Sequence, residues 1–132
     1  MREFEYTRFL ALPESELYAY VQPVLNPRSP LPQDVLQRMF SELPTYDEVR
    51  SVYAIELGPD RAPDLFAPVL PRYLSHKSQA VRCSASRALN RLPDRLITKE
   101  LVDAARAALS SCPDEERAIW AAVLDGLEKR VA

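Results

Sequence analysis

The stretch SHKSQAVRCSASRALNRL (75–92) holds the chain's only histidine, His76, and one of its two cysteines, Cys83. A thiol beside an imidazole suggests nucleophilic catalysis, in which the ring takes the thiol proton and the thiolate attacks. That chemistry also needs a group to orient the imidazole and donors for an oxyanion. Neither is signalled. A helix start expected near Ser78 separates the two residues, and the chain has two glycines in all. In the repeat described below, Cys83 falls at a small-residue position and His76 in a turn. Both are therefore read as packing and turn residues. No HExxH, Walker or Rossmann pattern is present, and neither cysteine has a CxxC neighbour. The sequence assigns no catalytic residue, metal site or cofactor, and the chain is read as non-enzymatic.

Arginine chemistry is the second candidate. Arg87, Arg91 and Arg95 follow one another at spacings of four, which puts them on one helix face until Pro93 intervenes. Arg72, Lys77, Arg82 and Lys99 lie in the same block. Residues 72–99 carry seven Lys/Arg against one Asp, a net +6, between flanks of −5 (1–71) and −3 (100–132). A guanidinium row suits carboxylate or phosphate recognition. The competing reading is intramolecular, with neighbouring helices complementing one another. Overall the chain carries −2, with a pI near 5.5, which counts against a nucleic-acid or other polyanion partner for the 72–99 face. Tyr18, Tyr46 and Tyr53 are candidate aromatic anchors for a protein partner.

These side chains need a scaffold, and the composition favours helices. Leu, Ala, Arg and Glu dominate, Gly is scarce, and twelve prolines punctuate the chain. Pro13 opens an expected helix to Leu25, with Pro23 late in it. NPRSPLP (26–32) reads as a stiff connection, and Pro32 opens the next helix. Thr45 and Glu48 have capping-box spacing, predicting a helix that ends at Leu57 before Gly58-Pro59. A helix from Pro63-Asp64 should be kinked by Pro68 and Pro71. Further helices are expected from Ser78 to Leu92, Thr98 to Ser110 and Pro113 to Arg130. The first ten residues read as a short helix or an extended arm. No apolar run approaches the roughly 20 residues needed to span a bilayer, and the N-terminus lacks an apolar signal region. A cytoplasmic protein is the expectation, as a monomer or weak homo-oligomer.

The strongest signal is self-similarity. LSHKSQAVRCSASRALNRL (74–92) superposes on LSSCPDEERAIWAAVLDGL (109–127) at an offset of 35. Arg82 falls on Arg117, Ala85 on Trp120, Leu89 on Leu124 and Leu92 on Leu127. VLQRMFS (35–41) matches VLPRYLS (69–75), and VRSVYAIEL (49–57) matches VRCSASRAL (81–89). A period in the middle thirties with two helices per unit is the mark of an α-solenoid. The expected units are 33–57, 64–92 and 99–129, with N-terminal helix or helices over 3–25.

Residues 65–92 resemble a HEAT repeat. The resemblance rests on Pro68 in the first helix, on Leu70, Leu74, Leu89 and Leu92, and on Val81-Arg82, echoed by Val49-Arg50. Two departures stand out. His76 or Lys77 occupies the turn position where the family carries an acid, and Glu116 replaces valine before Arg117. The resemblance implies one all-α domain over 1–132, a short right-handed solenoid of antiparallel pairs with about seven or eight helices. It also implies a curved scaffold that binds macromolecules, usually proteins, with second helices lining the concave side. The expected function is a protein-binding adaptor or an inhibitor of the immunity-protein type. Arg87, Arg91, Arg95, Lys77, Arg72, Tyr46, Tyr53 and Tyr18 are its candidate contacts. Arg82, Pro68 and Trp120 are read as structural. The Arg87–Arg91 row, which the last unit replaces by Ala122 and Gly126, stands out, and reversing both charges is expected to leave melting intact.

Overall fold

A computed structural model describes residues 4–26, 28 and 31–131. Residues 27, 29 and 30 of the 26–32 connection, residues 1–3 and Ala132 lie outside the described residues. Among those described, the chain is all-helical, with eight α-helices and no strand. They are α1 (Tyr6–Ala11), α2 (Glu14–Leu25), α3 (Gln33–Ser41), α4 (Glu48–Arg61), α5 (Pro63–Phe66), α6 (Gln79–Arg91), α7 (Lys99–Ser111) and α8 (Arg117–Val131). Short 3-10 turns at Leu43–Thr45, Leu70–Tyr73, Asp94–Leu96 and Asp114–Glu116 join them.

Neighbour relations form two rows. α2 packs on α4, α4 on α6 and α6 on α8, while α3 meets α5 and the 70–73 turn meets α7. The contact between α4 and α6 is the most extensive in the molecule. Small side chains account for it: Ser84, Ala85 and Ala88 are all buried on α6, so the backbones approach closely. Val81 and Leu89 complete that buried stripe. Trp120 on α8, at the position the repeat aligns with Ala85, is 1% exposed. Burial of large apolar groups such as Phe9, Phe40, Phe66 and Leu70 contributes roughly 1.5–3 kcal/mol each.

Local chemistry sets the helix starts. Ser78 caps α6 by accepting from the Val81 amide at 3.3 Å, and Thr98 caps α7 by accepting from Leu101 at 3.3 Å. For α4 the cap is Asp47, not Thr45. The Asp47 carboxylate accepts from the Arg50 amide at 2.8 Å, while Thr45 turns its hydroxyl to the Glu42 carbonyl within a 3-10 turn. A carboxylate at the N-cap also meets the positive end of the helix dipole, which gives Asp47 the advantage. α1 realises the short N-terminal helix, preceded by Glu5 in an extended conformation. Pro23 is accommodated inside α2.

Two prolines act differently from the sequence expectation. Pro68 and Pro71 do not kink a continuous helix. α5 ends at Phe66, three turn residues follow, and a 3-10 turn carries the chain to Tyr73. Two missing amide donors three residues apart leave too few i→i−4 bonds to sustain α-helix. Gly58-Pro59, in contrast, does not stop α4, which continues to Arg61. Gly58 has no positive φ. Its lack of a side chain serves packing, since a Cβ there would lie 2.5 Å from the Phe66 ring. Gly58 is thus the notch into which Phe66 folds back, and the unit read as 33–57 extends to 61.

Gly58→Ala gains up to about 1 kcal/mol of helix propensity but overpacks Phe66, which costs typically about 1–3 kcal/mol. A net loss of thermal stability is expected. Pairing it with Phe66→Leu should recover part of that loss in a double-mutant cycle.

Candidate interaction surface

The residues that first suggested catalysis build a turn. The His76 Nδ1 accepts from the Ser78 amide at 3.0 Å, and its ring stacks on Tyr73 at 6.0 Å. Cys83 is a half-buried free thiol on α6. Among the described residues, no group of three or more His, Cys, Asp or Glu is placed to hold a metal ion.

The three repeat-equivalent arginines do three different things. Arg50 bonds the Phe9 carbonyl at 3.0 Å, the Leu12 carbonyl and the Asp47 carboxylate, closing the C-terminal end of α1. Arg117 is exposed and pairs with Asp114 at 3.5 Å. Arg82 has Gln79 where the others have Asp47 or Asp114, and it takes its acid from the next unit. Its Nε and Nη2 meet Glu116 at 2.9 and 2.6 Å, and Nη1 donates to the His76 and Lys77 carbonyls. The Glu116 side chain is 3% exposed and also accepts from the Trp120 indole at 3.4 Å. The turn before α6 offers Arg82 no carboxylate of its own, and Glu116 supplies one. Arg82 holds the Glu116 carboxyl below its ordinary value, with the Trp120 bond adding to the effect.

The arginine row is likewise engaged within the molecule. Glu56 on α4 receives Arg87 at 2.8 Å, Arg91 at 3.2 Å and the buried Ser84 hydroxyl at 3.0 Å. Arg91 also reaches Asp60 and the Glu56 carbonyl, and Arg95 pairs with Asp64 at 2.6 Å. That bond lowers the Asp64 titration. The basic face of 72–99 is in large part the complement of the acids of α4 and α5. Arg72 and Lys77 remain exposed, without an ion pair among the described residues.

A further set of arginines escaped the sequence reading. Arg61 at the end of α4 bonds the Val24 and Asn26 carbonyls at the end of α2. Arg130 at the end of α8 bonds the Leu89 and Leu92 carbonyls at the end of α6, and its Nε meets Asp94 at 2.6 Å. The available signal was an arginine in the last turn of each second helix, Arg61, Arg91 and Arg130.

The tyrosines divide sharply. Tyr46 belongs to the interior: its hydroxyl lies 2.5 Å from that of Tyr6 and donates to the Met39 carbonyl at 2.9 Å. Burial pushes the Tyr46 phenol well up and that of Tyr6 up to about 12. Tyr18 on α2 is 59% exposed, the most exposed of the large apolar side chains. Half-buried Tyr53 lies on α4, which packs on α2, and burial first, then Tyr18, push its phenol upward. Tyr18 and Tyr53 thus belong to neighbouring helices, and Tyr46 packs elsewhere. No family model, curated protein or solved structure matches the chain.

Two outcomes follow from these links. Glu116→Gln leaves Arg82 without its carboxylate and is expected to cost about 3 kcal/mol at neutral pH. Because the folded value lies below the ordinary 4.5, the stabilisation is full above that value and is lost as pH falls through the lowered one. Melts of parent and variant should therefore converge on acidification. The double reversal Arg87→Glu with Arg91→Glu sets acids against Glu56 and Asp60. A melting loss of about 4–8 °C is expected, in place of the neutrality expected from the sequence.

Proposed function

We propose that the chain is a short α-solenoid similar to HEAT repeats and a non-enzymatic module that binds a protein partner, as an adaptor or an inhibitor. The solenoid reading is supported by the two rows of neighbours and by arginine links between successive units. The face offered is that of α2 and α4, and the observation that carries it is Tyr18, 59% exposed, with half-buried Tyr53 on the neighbouring helix. A largely exposed tyrosine supplies a rigid apolar area with a polar tip, the character of an interface anchor. Leaving Tyr18 in water is unfavourable by comparison with covering it, since apolar area gains roughly 25 cal/mol per Å² on burial.

The polyanion alternative loses most of its support. A guanidinium already held by Glu56, Asp60 or Asp64 must leave that partner before it meets a phosphate. Arg72, Lys77 and Lys99, exposed and without an ion pair among the described residues, give few phosphate contacts, and such binding depends on their number.

A photo-cross-linking phenylalanine analogue at position 18 should capture a discrete protein in the native host. The same group at Leu65, also partly exposed but on α5, should not. Unlabelled protein should compete for that capture, and unlabelled Tyr18→Glu, at an exposed position that leaves melting unchanged, should not. Equal capture from both positions, or equal competition by Tyr18→Glu, would remove this face from consideration.

A further inference from the structure

The chain has two glycines, and the fold explains one of them: Gly58 is the notch for Phe66. Gly126 lies inside α8, where glycine is less favourable than alanine. A Cβ there would meet nothing within 4 Å, so no neighbour among the described residues calls for that glycine. The positions before it on the same side of the helix are also small. Ala118 and Ala122 precede it at spacings of four and are exposed, and Ile119 beside them is 47% exposed. On α6 the aligned row is Arg87 and Arg91, which face the acids of α4. α8 thus carries a bare row where α6 carries a charged one.

Residues four apart form a ridge along a helix, and small side chains on that ridge let a second backbone come close. The ends of this ridge are charged. Glu115, exposed and in no ion pair among the described residues, stands in the turn before α8. Lys129 stands in the last turn, in an exposed pair with Asp125 at 2.9 Å. About Ala122 the row is symmetric in position and opposite in charge. Ala118 and Gly126 lie four residues to either side, and Glu115 and Lys129 lie seven.

We infer that α8 docks on α8 of a second copy of the chain, antiparallel, about a two-fold axis at Ala122. A two-fold contact is reciprocal, each surface being its own complement. Ala118 then faces the partner's Gly126, and Glu115 faces the partner's Lys129. An ammonium has three donors, enough for this carboxylate and for Asp125 together. A parallel pairing would set Glu115 against the partner's Glu115 and Lys129 against the partner's Lys129, which like charge disfavours. One helix face is small beside a stable interface, so a dissociation constant on the order of 0.1 mM is expected. This surface is separate from the α2–α4 face, and the inference does not rest on that face.

Sedimentation equilibrium at chain concentrations up to about 1 mM tests this. The parent should pass from monomer to dimer. Gly126→Ala should raise the melting temperature of the dilute protein through helix propensity, and yet weaken the dimer about tenfold by holding the backbones apart. Glu115→Lys alone and Lys129→Glu alone should each weaken it by a similar factor. An equimolar mixture of those two variants should associate like the parent, because opposite charges then meet at both ends of a mixed dimer. A chain that stays monomeric overturns the inference. So does association that Gly126→Ala leaves unchanged, or a mixture that associates no better than its parts. Association lost in Tyr18→Glu and kept in Gly126→Ala overturns it as well, and puts the contact on α2–α4.

Discussion

A helix that ends against a neighbour leaves its last carbonyls without amide partners, and the arrangement of this protein depends on how those carbonyls are met. At the ends of α1, α2 and α6, an arginine from the following unit supplies the donors: Arg50, Arg61 and Arg130. Guanidinium suits the task. It carries five donors in a rigid plane, stays charged, and sits at the negative end of the helix dipole. A hydrophobic contact could hold two helices together yet allow them to slide. A fork of hydrogen bonds to named carbonyls fixes their register.

Between α6 and α8 the same logic is joined to a buried acid. Arg82 reads the carbonyls of its own turn and the carboxylate of the next unit at once. Trp120 covers the pair and donates to it. Desolvating two charges is costly, and the pair becomes tolerable because nearly every donor and acceptor has a partner. Glu56 plays the corresponding part between α4 and α6 at a wetter site, where it neutralises two arginines and holds one serine. These two carboxylates account for much of the apparent basic surface, since the cations that the sequence places in one block face acids some thirty residues away.

What was legible in the sequence was periodic or local. The Val81–Ala85–Leu89 stripe and the caps Ser78 and Thr98 are written in spacings of three or four, which the helix itself imposes. The burial of Trp120 could be read because the repeat aligns it with Ala85. Gly58-Pro59 misled, because glycine before proline commonly ends a helix; here the notch for Phe66 outweighs that tendency, and the requirement lies eight residues downstream. Pro68 and Pro71 were seen, but a kink and a break differ by only a few hydrogen bonds. The arginine links were hidden for another reason. Each joins a side chain to a carbonyl roughly one unit away, and a carbonyl has no residue identity to read. Glu116 was visible as an anomaly, and its meaning required its partner. Tyr18 and Tyr46 looked alike as letters, and only their burial separates them.

The reach of these links has a consequence for how disturbance travels. Arg50, Arg61 and Arg130 reach back along the chain and Arg82 reaches forward to Glu116, so the links run in both directions. A disturbance at α8 is met at α6 by Arg130 and by the Arg82–Glu116 pair, and one at α6 is met at α4 by Glu56. Local opening at one end of the molecule therefore has several separate links to break before it spreads.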